Sequence, residues 1–297
     1  MARILGVGVA TCDVIAVLDG YPQEDAKVRI LRRRVARGGN AANSLVVLNQ
    51  LGHGCAWAGV LGDDDASGWI AAELDRCGVD TRYSITAAGG SAPTSYIWVS
   101  LASGTRTIAH YRDIPELSAA DFGRIPAAFD WVHFEGRHAA ETSRMLQSLR
   151  AAPAPPRCSV ELERPRPGAE ELAAYADVVV FSRDYARAGG WTRPEAFLLE
   201  MRARLPRAEL VCTWGADGAY ALAAAGAVVH APARPPAGGV VDPVGAGDTF
   251  NAGLIDALAA GAGLGEAVRR GCALAGVKCG REGLDLPRAE LRRPAAT

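Results

Sequence analysis

Short apolar runs alternate with longer amphipathic stretches along most of the chain, a pattern typical of a sheet covered by helices. The apolar runs predict strands at 3–10, 55–60, 131–134, 158–161, 178–181 and 210–213. The amphipathic stretches predict helices at 40–51, 66–77, 140–149 and 195–205. Short runs rich in β-formers are typical of strands buried on both faces. The pattern therefore predicts an α/β fold with a mostly parallel sheet sandwiched by helices.

Two segments, 13–36 and 92–112, break this alternation and predict β-hairpins. The second has a turn signal, Ala-Ser-Gly at 102–104, between two alternating strands. Together the hairpins are expected to form a small sheet over the mouth of the large one, as a lid or a dimer contact. An ordinary extension of the main sheet is the alternative that periodicity leaves open. No internal repeat is visible, and residues 1–297 are predicted to form one domain with this inserted sheet.

The charge balance limits the classes of partner. With 32 basic and 33 acidic residues among 297, nothing in the net charge favours nucleic acid or a membrane surface. No window approaches the roughly 20 apolar residues of a membrane span. A small neutral or anionic ligand remains open.

The cysteines indicate a reduced, intracellular protein, and we expect a cytoplasmic one. They form no C-x-x-C pair and have no histidine partners at zinc spacing, so they are expected to act as small core residues. The seven are Cys12, Cys55, Cys77, Cys158, Cys212, Cys272 and Cys279.

A phosphate-binding turn without the usual lysine is predicted at VDPVGAGDTF, residues 241–250. Asp242 and Pro243 favour an extended approach, and three small residues then let backbone N–H groups face a common point. Residues 249–260 are helical in pattern, so these amides and the positive end of a helix dipole suit an anion. The small residues are Gly245, Ala246 and Gly247.

Asp248 is expected in the first helical turn beside this anion site. Taken alone, an aspartate there is typical of a helix cap. Asp242 and Thr249 are also close enough to cap the helix, which favours a second interpretation. A carboxylate beside an anion site can take the proton of a hydroxyl during phosphoryl transfer. The helix terminus is expected to depress the pKa of Asp248 below its ordinary value.

A second glycine-rich stretch, RGGNAANSLVVLNQLG at 37–52, leads into a predicted helix. Asn40 and Asn43 are three residues apart and share one face of its first turn. Side-chain amides both donate and accept hydrogen bonds, which suits a polyhydroxyl ligand better than a phosphate. The alternative is that Asn40 caps the helix.

The two stretches together resemble the signatures of the ribokinase-like (PfkB) sugar kinases. GGNAAN resembles the N-terminal signature, DPVGAGDTFNAG at 242–253 resembles the C-terminal one, and their spacing suits the family. Within the family, the chain is most similar to the ketohexokinase, or hepatic-type fructokinase, branch. The similar segments are DVIAVLDGYPQED (13–25), GTRTI (104–108), FEGR (134–137), CTWGADGAY (212–220) and GCALAGVKCG (271–280).

The resemblance implies roles for individual residues. Asp248 is implied as the catalytic base, with the amides of Gly245, Ala246 and Gly247 as the anion hole. Arg106, on the second hairpin, is implied to approach the nucleotide phosphates, and a solvated arginine is the alternative. The positions implied to contact the sugar are Asp13, Gly39, Asn40 and Asn43, with Asp25 reaching a sugar across a dimer.

The resemblance also implies ATP as the phosphoryl donor and an adenine slot near the loop after the strand at 210–213. For the cysteine and the alanine of this slot, plain helix packing is the alternative. The residues implied to line it are Gly215, Ala216, Gly218, Pro235, Cys272 and Ala275.

The implied magnesium site lacks assigned ligands. SRDYAR at 182–187 departs from the family's Asn-x-x-Glu motif, as ketohexokinase-like chains also do. Mg²⁺ commonly keeps several waters and binds through substrate phosphates, so Glu163 and Asp242 are candidates only for contacts through water. Activation by a monovalent cation is common in the family, and no residue of this sequence identifies its site.

The implied function is ATP-dependent phosphorylation of the primary hydroxyl next to the carbonyl carbon of a ketohexose, with D-fructose giving fructose 1-phosphate. A homodimer formed through the lid is implied as well. The same chemistry on another acceptor stays open, as in a ribokinase, a nucleoside kinase, a 2-keto-3-deoxygluconate kinase or a fructokinase acting at the 6-hydroxyl. A catalytically idle protein that senses sugar or nucleotide is the alternative from another class.

Overall fold

The computed structural model describes residues 1–126 and 128–291. In chain order its strands are β1 (Arg3–Val7), β2 (Thr11–Leu18), β3 (Arg32–Gly38), β4 (Gly54–Ala58), β5 (Val60–Gly62), β6 (Val79–Asp80), β7 (Ile85–Ala87), β8 (Thr94–Ser100), β9 (Arg106–Tyr111), β10 (Trp131–Glu135), β11 (Arg157–Leu162), β12 (Val178–Ser182), β13 (Glu209–Thr213), β14 (Ala219–Leu222) and β15 (Val229–Ala231). The helices are α1 (Asn40–Gln50), α2 (Asp65–Arg76), α3 (Ala119–Phe122), α4 (Ala139–Arg150), α5 (Ala169–Ala173), α6 (Arg183–Ala188), α7 (Pro194–Arg204), α8 (Ala246–Ala259), α9 (Leu264–Cys279) and α10 (Arg288–Leu291).

The large sheet runs in the order β15-β14-β13-β12-β11-β10-β1-β4-β6. From β13 to β6 all neighbours are parallel, and β14 and β15 add an antiparallel edge. Two apolar cores cover its faces, one with α1, α8 and α9 and the other with α4, α5 and α7. The predicted α/β fold, a mostly parallel sheet between helices, is therefore confirmed.

The strand order changes direction between β1 and β10. After β1 the sheet continues to β4 on one side, and the chain returns later to β10 on the other. Such a reversal opens a crevice at the carboxyl ends of the two strands, where α/β sheets bind their ligands. The ends of β1 and β10 therefore mark the expected position of the site.

A small sheet, separate from the large one, has the order β3-β2-β8-β9, and we call it the lid. Two antiparallel pairs, β2 with β3 and β8 with β9, are joined by a parallel pairing of β2 with β8. The inner face carries Ile15, Val17 and Val99 and lines a cleft against residues 241–244. The outer face carries the exposed side chains of Tyr96 and Trp98. The lid thus overhangs the loop that leads into α8.

Three predicted boundaries are wrong for local reasons. The strand predicted at 3–10 ends at Val7, and the one predicted at 55–60 divides at Gly59 into β4 and β5. Gly59 packs against the Trp57 ring and a backbone carbonyl, in a space that a Cβ would fill. The helix predicted from 249 begins at Ala246, because Gly245 adopts a φ of 83° and turns the chain directly into it.

Gly276 on α9 lies against the carbonyl oxygen of Arg234, and a Cβ at this position would overlap that oxygen. We expect Gly276→Ala to destabilise the fold by about 1–3 kcal/mol, because backbone must move to accommodate the methyl group. Gly68 on α2 is the matched control, since nothing lies within 4 Å of its Cβ position. Gly68→Ala is expected to stabilise the protein by up to about 1 kcal/mol. Urea unfolding of both variants measures the difference, and equal effects would contradict the close packing of α9.

Candidate active site

Two helix N-termini meet at the centre of the candidate site. α1 follows Gly39, whose φ is 106°, and α8 follows Gly245, whose φ is 83°. The Nδ2 of Asn43 donates a hydrogen bond to the Oδ2 of Asp248 at 2.7 Å, and both residues are buried. Ser44 Oγ donates a second bond to the carbonyl oxygen of Asp248 at 3.0 Å. The two glycine-rich stretches of the sequence therefore belong to one site.

Asp248 is 8% exposed, and this burial raises its pKa to about 7. The hydrogen bond from Asn43 opposes the rise, whereas the charges of Glu135 and Glu163 add to it. The predicted depression of this pKa is therefore wrong, because loss of hydration outweighs the favourable helix terminus. Nor does Asp248 cap the helix, since the cap position is Gly245. A carboxyl group with a pKa near 7 is well matched to proton transfer at neutral pH.

Asn40 contacts carboxylates instead of capping α1. Its Nδ2 donates to Glu161 Oε2 at 3.2 Å and to Glu163 Oε2 at 3.4 Å. Burial raises the pKa of Glu161 well above its ordinary value, and the charges of Asp248 and Glu163 raise it further. The capping interpretation is wrong, because Gly39 occupies the cap position.

Sequence reasoning missed Glu135 and Glu161 as members of the site. Glu135 is buried, its Oε1 accepts a hydrogen bond from the N–H of Ala41 at 3.0 Å, and its Oε2 pairs with Arg137 Nε at 2.7 Å. Glu135 ends β10, and Glu161 lies one residue before the end of β11. A charged residue directly after a short apolar run is the signal for both, since such residues fall at the carboxyl edge of the sheet.

Asp13 lies against the turn that leads into α1. Its Oδ1 accepts a hydrogen bond from Thr11 Oγ1 at 2.8 Å, and a Cβ on Gly38 would overlap its other carboxylate oxygen. Gly39 packs equally closely on the carbonyl oxygen of Val9. The structure therefore brings Asp13 and Gly39 together beside the asparagines of α1.

Asp25 stands apart from these residues. It is exposed in the loop between β2 and β3, with a φ of 62°. No hydrogen bond or ion pair within the part of the chain that the structure describes joins Asp25 to the site. Of the predicted sugar-contacting residues, Asp25 is the one that the structure does not bring to Asp248.

A buried lysine, which sequence reasoning overlooked, fixes the loop before α8 through contacts with Asp242. Lys278 Nζ donates to the carbonyl oxygen of Asp242 at 2.8 Å and pairs with its carboxylate at 3.0 Å. Arg34 of the lid pairs with the same carboxylate at 3.2 Å. Burial would raise the pKa of Asp242, but hydrogen bonds from the Val244 amide and Lys278 hold it below its ordinary value. The Asp242 carboxylate is thus already neutralised by protein cations.

The three amides of the predicted anion hole are not equivalent. The N–H of Ala246 donates to the carbonyl oxygen of Pro243 at 3.2 Å and closes the turn. The N–H of Thr249 donates to Gly245 at 2.9 Å and begins the regular helix. Gly245 and Gly247 occupy helix positions whose amides have no partner within a helix. These two amides are the better placed donors for an anion.

Residues expected around adenine converge on the carbonyl oxygen of Ala231. Gly218 has a φ of 92° and leaves no space for a Cβ against that oxygen. The thiol of Cys272, which is buried on α9, lies 3.5 Å from the same oxygen. Gly215 and Ala216 form an exposed 3-10 turn directly after β13. These contacts bring the turn after β13, the end of β15 and α9 together.

The remaining predicted nucleotide residues lie on either side of these elements. Pro235 is exposed in the loop after β15, and Ala275 is half-buried on α9 beside the contact of Gly276 with Arg234. Arg106 begins β9 and borders the cleft of about 770 Å³ between the lid and residues 241–244. Arg106 is exposed and lies across that cleft from residues 241–244.

No group of three or more His, Cys, Asp or Glu side chains within residues 1–126 and 128–291 is arranged to hold a metal ion. The stretch SRDYAR instead ends β12 and forms α6, which Ser182 caps by accepting a hydrogen bond from the N–H of Tyr185 at 2.9 Å. Among the helices that the structure describes, none is long and apolar enough to cross a membrane.

A mostly parallel α/β sheet, a separate β lid and a carboxylate between two glycine-rich helix starts define a kinase of the ribokinase-like class. Residues 1–290 match the pfkB family of carbohydrate kinases, and the chain belongs to this family. It is accordingly an ATP-dependent sugar kinase.

Known relatives extend over nearly the whole chain. Ketohexokinase from Mus musculus is 40% identical over 292 residues, which cover 95% of this chain and 98% of the mouse protein. Ribokinase from Arabidopsis thaliana superposes with a TM-score of 0.83 at 19% identity, covering 98% of this chain and 97% of the plant chain. Ribokinase from Thermotoga maritima superposes with a TM-score of 0.79 at 20% identity, covering 98% of both chains. At such identities the two ribokinases support the fold alone.

The raised pKa of Asp248 makes stability depend on pH. An unfolded aspartate has a pKa of about 3.9. The folded pKa of Asp248 is about 7, so the folded state loses stability as pH rises between these values. We expect Asp248→Asn, which cannot ionise, to raise the melting temperature relative to wild type more at pH 8 than at pH 5.

Thermal unfolding of both proteins at the two pH values measures this effect. Asp184→Asn removes a carboxylate from the exposed surface of α6 and is the matched control. If the rise in melting temperature of Asp248→Asn over wild type were the same at both pH values, ionisation of Asp248 would not oppose folding, and the prediction would be wrong.

Proposed function

We propose that the protein transfers the γ-phosphoryl group of ATP to the primary hydroxyl next to the carbonyl carbon of a ketohexose, converting D-fructose to fructose 1-phosphate. The observation that carries this proposal is that Asp248, in the first turn of α8, is buried and accepts a hydrogen bond from Asn43 of α1. The 40% identity to mouse ketohexokinase over nearly the whole chain supports a ketohexose as acceptor.

Asp248 is the general base of the proposed reaction. Asn43 engages its Oδ2, so Oδ1 is the oxygen suited to accept the proton of the sugar hydroxyl. The hydroxyl oxygen bonds to the γ-phosphorus while the bond to the bridging oxygen breaks, and ADP leaves with that electron pair. Because the transition state of phosphoryl transfer is loose, the proton moves late. A base with a pKa of about 7 is sufficient for this step.

The N-terminus of α8 stabilises the transferring group in this proposal. The amides of Gly245 and Gly247 face the anion, with Ala246 between them, and the helix dipole adds positive potential. Mg²⁺ bound to the ATP phosphates would supply further positive charge. Among the oxygen ligands at the site, the exposed Glu163 suits contact with Mg²⁺ through water, whereas Asp242 is engaged by two cations.

The acceptor site is proposed around Asp13, Gly39, Asn40 and Asn43. The Oδ1 of Asn43 is buried and has no hydrogen-bond partner among the described residues. A buried acceptor without a partner costs free energy, and a ligand hydroxyl that donates to it removes this cost. The unpaired amide oxygen beside Asp248 therefore supports a polyhydroxyl ligand in contact with the base.

The nucleotide is proposed to lie between the lid and the last two helices. Adenine would lie against Gly215, Ala216, Gly218 and α9, where Cys272 and Ala275 line one side and Pro235 the other. Arg106 would reach the phosphates from the lid. Support for this path comes from the cleft of about 770 Å³ that leads from Arg106 to the loop before α8.

We also propose a homodimer formed through the lid. The outer lid face exposes two aromatic side chains, Tyr96 at 49% and Trp98 at 40%. Exposed aromatic surface of this kind favours a protein contact. Asp25 lies in an exposed lid loop, and in such a dimer it would reach the acceptor of the other subunit.

A panel of sugars tests the proposed function. We expect sugar-dependent ADP release to be fastest with D-fructose among ketoses, aldoses, ribose, 2-keto-3-deoxygluconate and nucleosides. Carbon–phosphorus coupling to the anomeric carbon in the ¹³C NMR spectrum of the product is expected to show the phosphate on the 1-hydroxyl, because that hydroxyl is the one presented to Asp248. A faster aldose or nucleoside, or a 6-phosphate product, would contradict the ketohexose proposal while leaving the kinase chemistry intact.

Asp248→Asn is the control within the same experiment. The variant is expected to bind ATP nearly as wild type does and to lose turnover by about two orders of magnitude or more, since the base is removed. Near-normal turnover of this variant would contradict the role of Asp248. Absence of sugar-dependent ADP release from the wild type would instead favour a sensing protein.

Trp98→Glu tests the proposed homodimer. The wild type is expected to show twice the chain mass in light scattering, and the variant the mass of one chain, because a buried charge would oppose the contact. Val229→Glu, at an exposed apolar side chain on β15, is the matched control and is expected to retain the wild-type mass. A wild-type monomer, or equal masses for all three proteins, would contradict dimerisation through the lid.

A further inference from the structure

One row of residues crosses the inner face of the lid from edge to edge. Arg32 pairs with Val17, Val17 with Val99, and Val99 with Arg106 in the strand registers. Residues in register on neighbouring strands share a face of the sheet. All four line the cleft above residues 241–244. The row therefore has a guanidinium group at each end and two valines between them.

The two arginines are separated by the width of the lid. Three strand spacings of about 4.8 Å put the Cα atoms of Arg32 and Arg106 about 14 Å apart. Arginine side chains are long enough to reach inward from both edges, and planar guanidinium groups bind phosphate oxygens in pairs. An extended anion lying under Val17 and Val99 would be contacted from both ends.

These two arginines also carry the unneutralised charge of the inner face. Arg34 lies on the same face, two residues further along β3, and pairs with Asp242 at 3.2 Å and with Glu282 at 3.3 Å. Neither Arg32 nor Arg106 forms an ion pair with any residue that the structure describes. Both are exposed at the cleft. The row therefore offers two free positive charges to an anionic ligand.

We propose that Arg32 is a second phosphate-binding residue, which holds the polyphosphate chain of the nucleotide from the lid edge opposite Arg106. This inference rests on the proposed function, in which Arg106 approaches the same phosphates. It adds a residue that acts on the donor, so that the nucleotide is clamped between the two lid edges.

The acceptor sugar is too far from Arg32 to be its ligand. Asp13, at the acceptor site, precedes Val17 by four residues on the same strand. At about 3.3 Å per residue, the row of Arg32 lies about 13 Å further out than the row of Asp13. A polyphosphate that extends from α8 toward the adenine edge spans such a length, whereas a hexose does not.

Arg33 offers a matched control on the same strand. Arg33 borders the same cleft, but it pairs with Ala16, and Ala16 with Trp98, so in the strand register it lies on the face opposite that of Arg32. Arg33→Gln and Arg32→Gln remove the same charge from adjacent positions on opposite faces. A general effect of net charge would change KM for ATP equally in both variants. A direct contact of Arg32 with the nucleotide would change it in Arg32→Gln alone.

The experiment compares KM for ATP and KM for the sugar in the wild type and in Arg32→Gln, Arg33→Gln and Arg106→Gln at two ionic strengths. We expect Arg32→Gln to raise KM for ATP about fivefold at low salt, with KM for the sugar changed less than twofold. The increase is expected to shrink at high salt because the lost contact is screened. Arg33→Gln is expected to stay within twofold on both constants.

An equal rise of KM for ATP in Arg32→Gln and Arg33→Gln overturns the inference, as does a rise confined to the sugar. If only Arg106→Gln weakens ATP binding, the proposed nucleotide path stands and the role of Arg32 fails. If neither inner-face variant weakens it, both fail. Light scattering is expected to give all variants the wild-type mass, and a change of mass confined to Arg32→Gln would assign the residue to the subunit contact and overturn the inference.

Discussion

The hydrogen bond from Asn43 to Asp248 joins residues 205 positions apart and, with the bond from Ser44 to the Asp248 carbonyl oxygen, fixes the geometry of the site. It holds the first turns of α1 and α8 together, so that two sets of helix N-terminal amides surround one buried carboxyl group. Each helix can begin there only because a glycine with positive φ turns the chain into it. Asp248 is buried where the two helix starts meet, and this burial raises its pKa although the hydrogen bond itself opposes the rise.

Positive charge lies on both sides of the loop before α8, as a buried lysine on one side and as lid arginines on the other. Lys278 is fully buried beneath the loop and holds the carboxylate and carbonyl oxygens of Asp242. A buried ammonium group requires such partners. Lys278 therefore fixes the backbone at Asp242 and is not free to contact a ligand. Positive charge facing the cleft comes instead from arginines of the lid. The loop before α8 thus rests on a buried lysine, while the cations that face the cleft lie on a separate sheet.

The sequence is most informative where a short local pattern decides the structure. Apolar periodicity predicts the large sheet and its helices, and alternation predicts the two hairpins. The pKa of Asp248 could not be predicted, because it depends on burial by tertiary packing and on the charges of Glu135 and Glu163, which are distant in sequence. Lys278 was missed for the same reason, since its partner is brought near only by tertiary packing. The division at Gly59 likewise depends on its contact with the Trp57 ring.

The two helices that meet at Asp248, α1 and α8, are synthesised about 200 residues apart. β1, the first two lid strands and α1 are synthesised first, and the carboxylate enters on α8, after all fifteen strands that the structure describes, including the whole lid. α8 packs mainly on α9 and α1, and a nascent chain halted before residue 241 contains the asparagines of α1 without Asp248. A chain halted at that point therefore lacks the contact between Asn43 and Asp248 that joins the two helix starts.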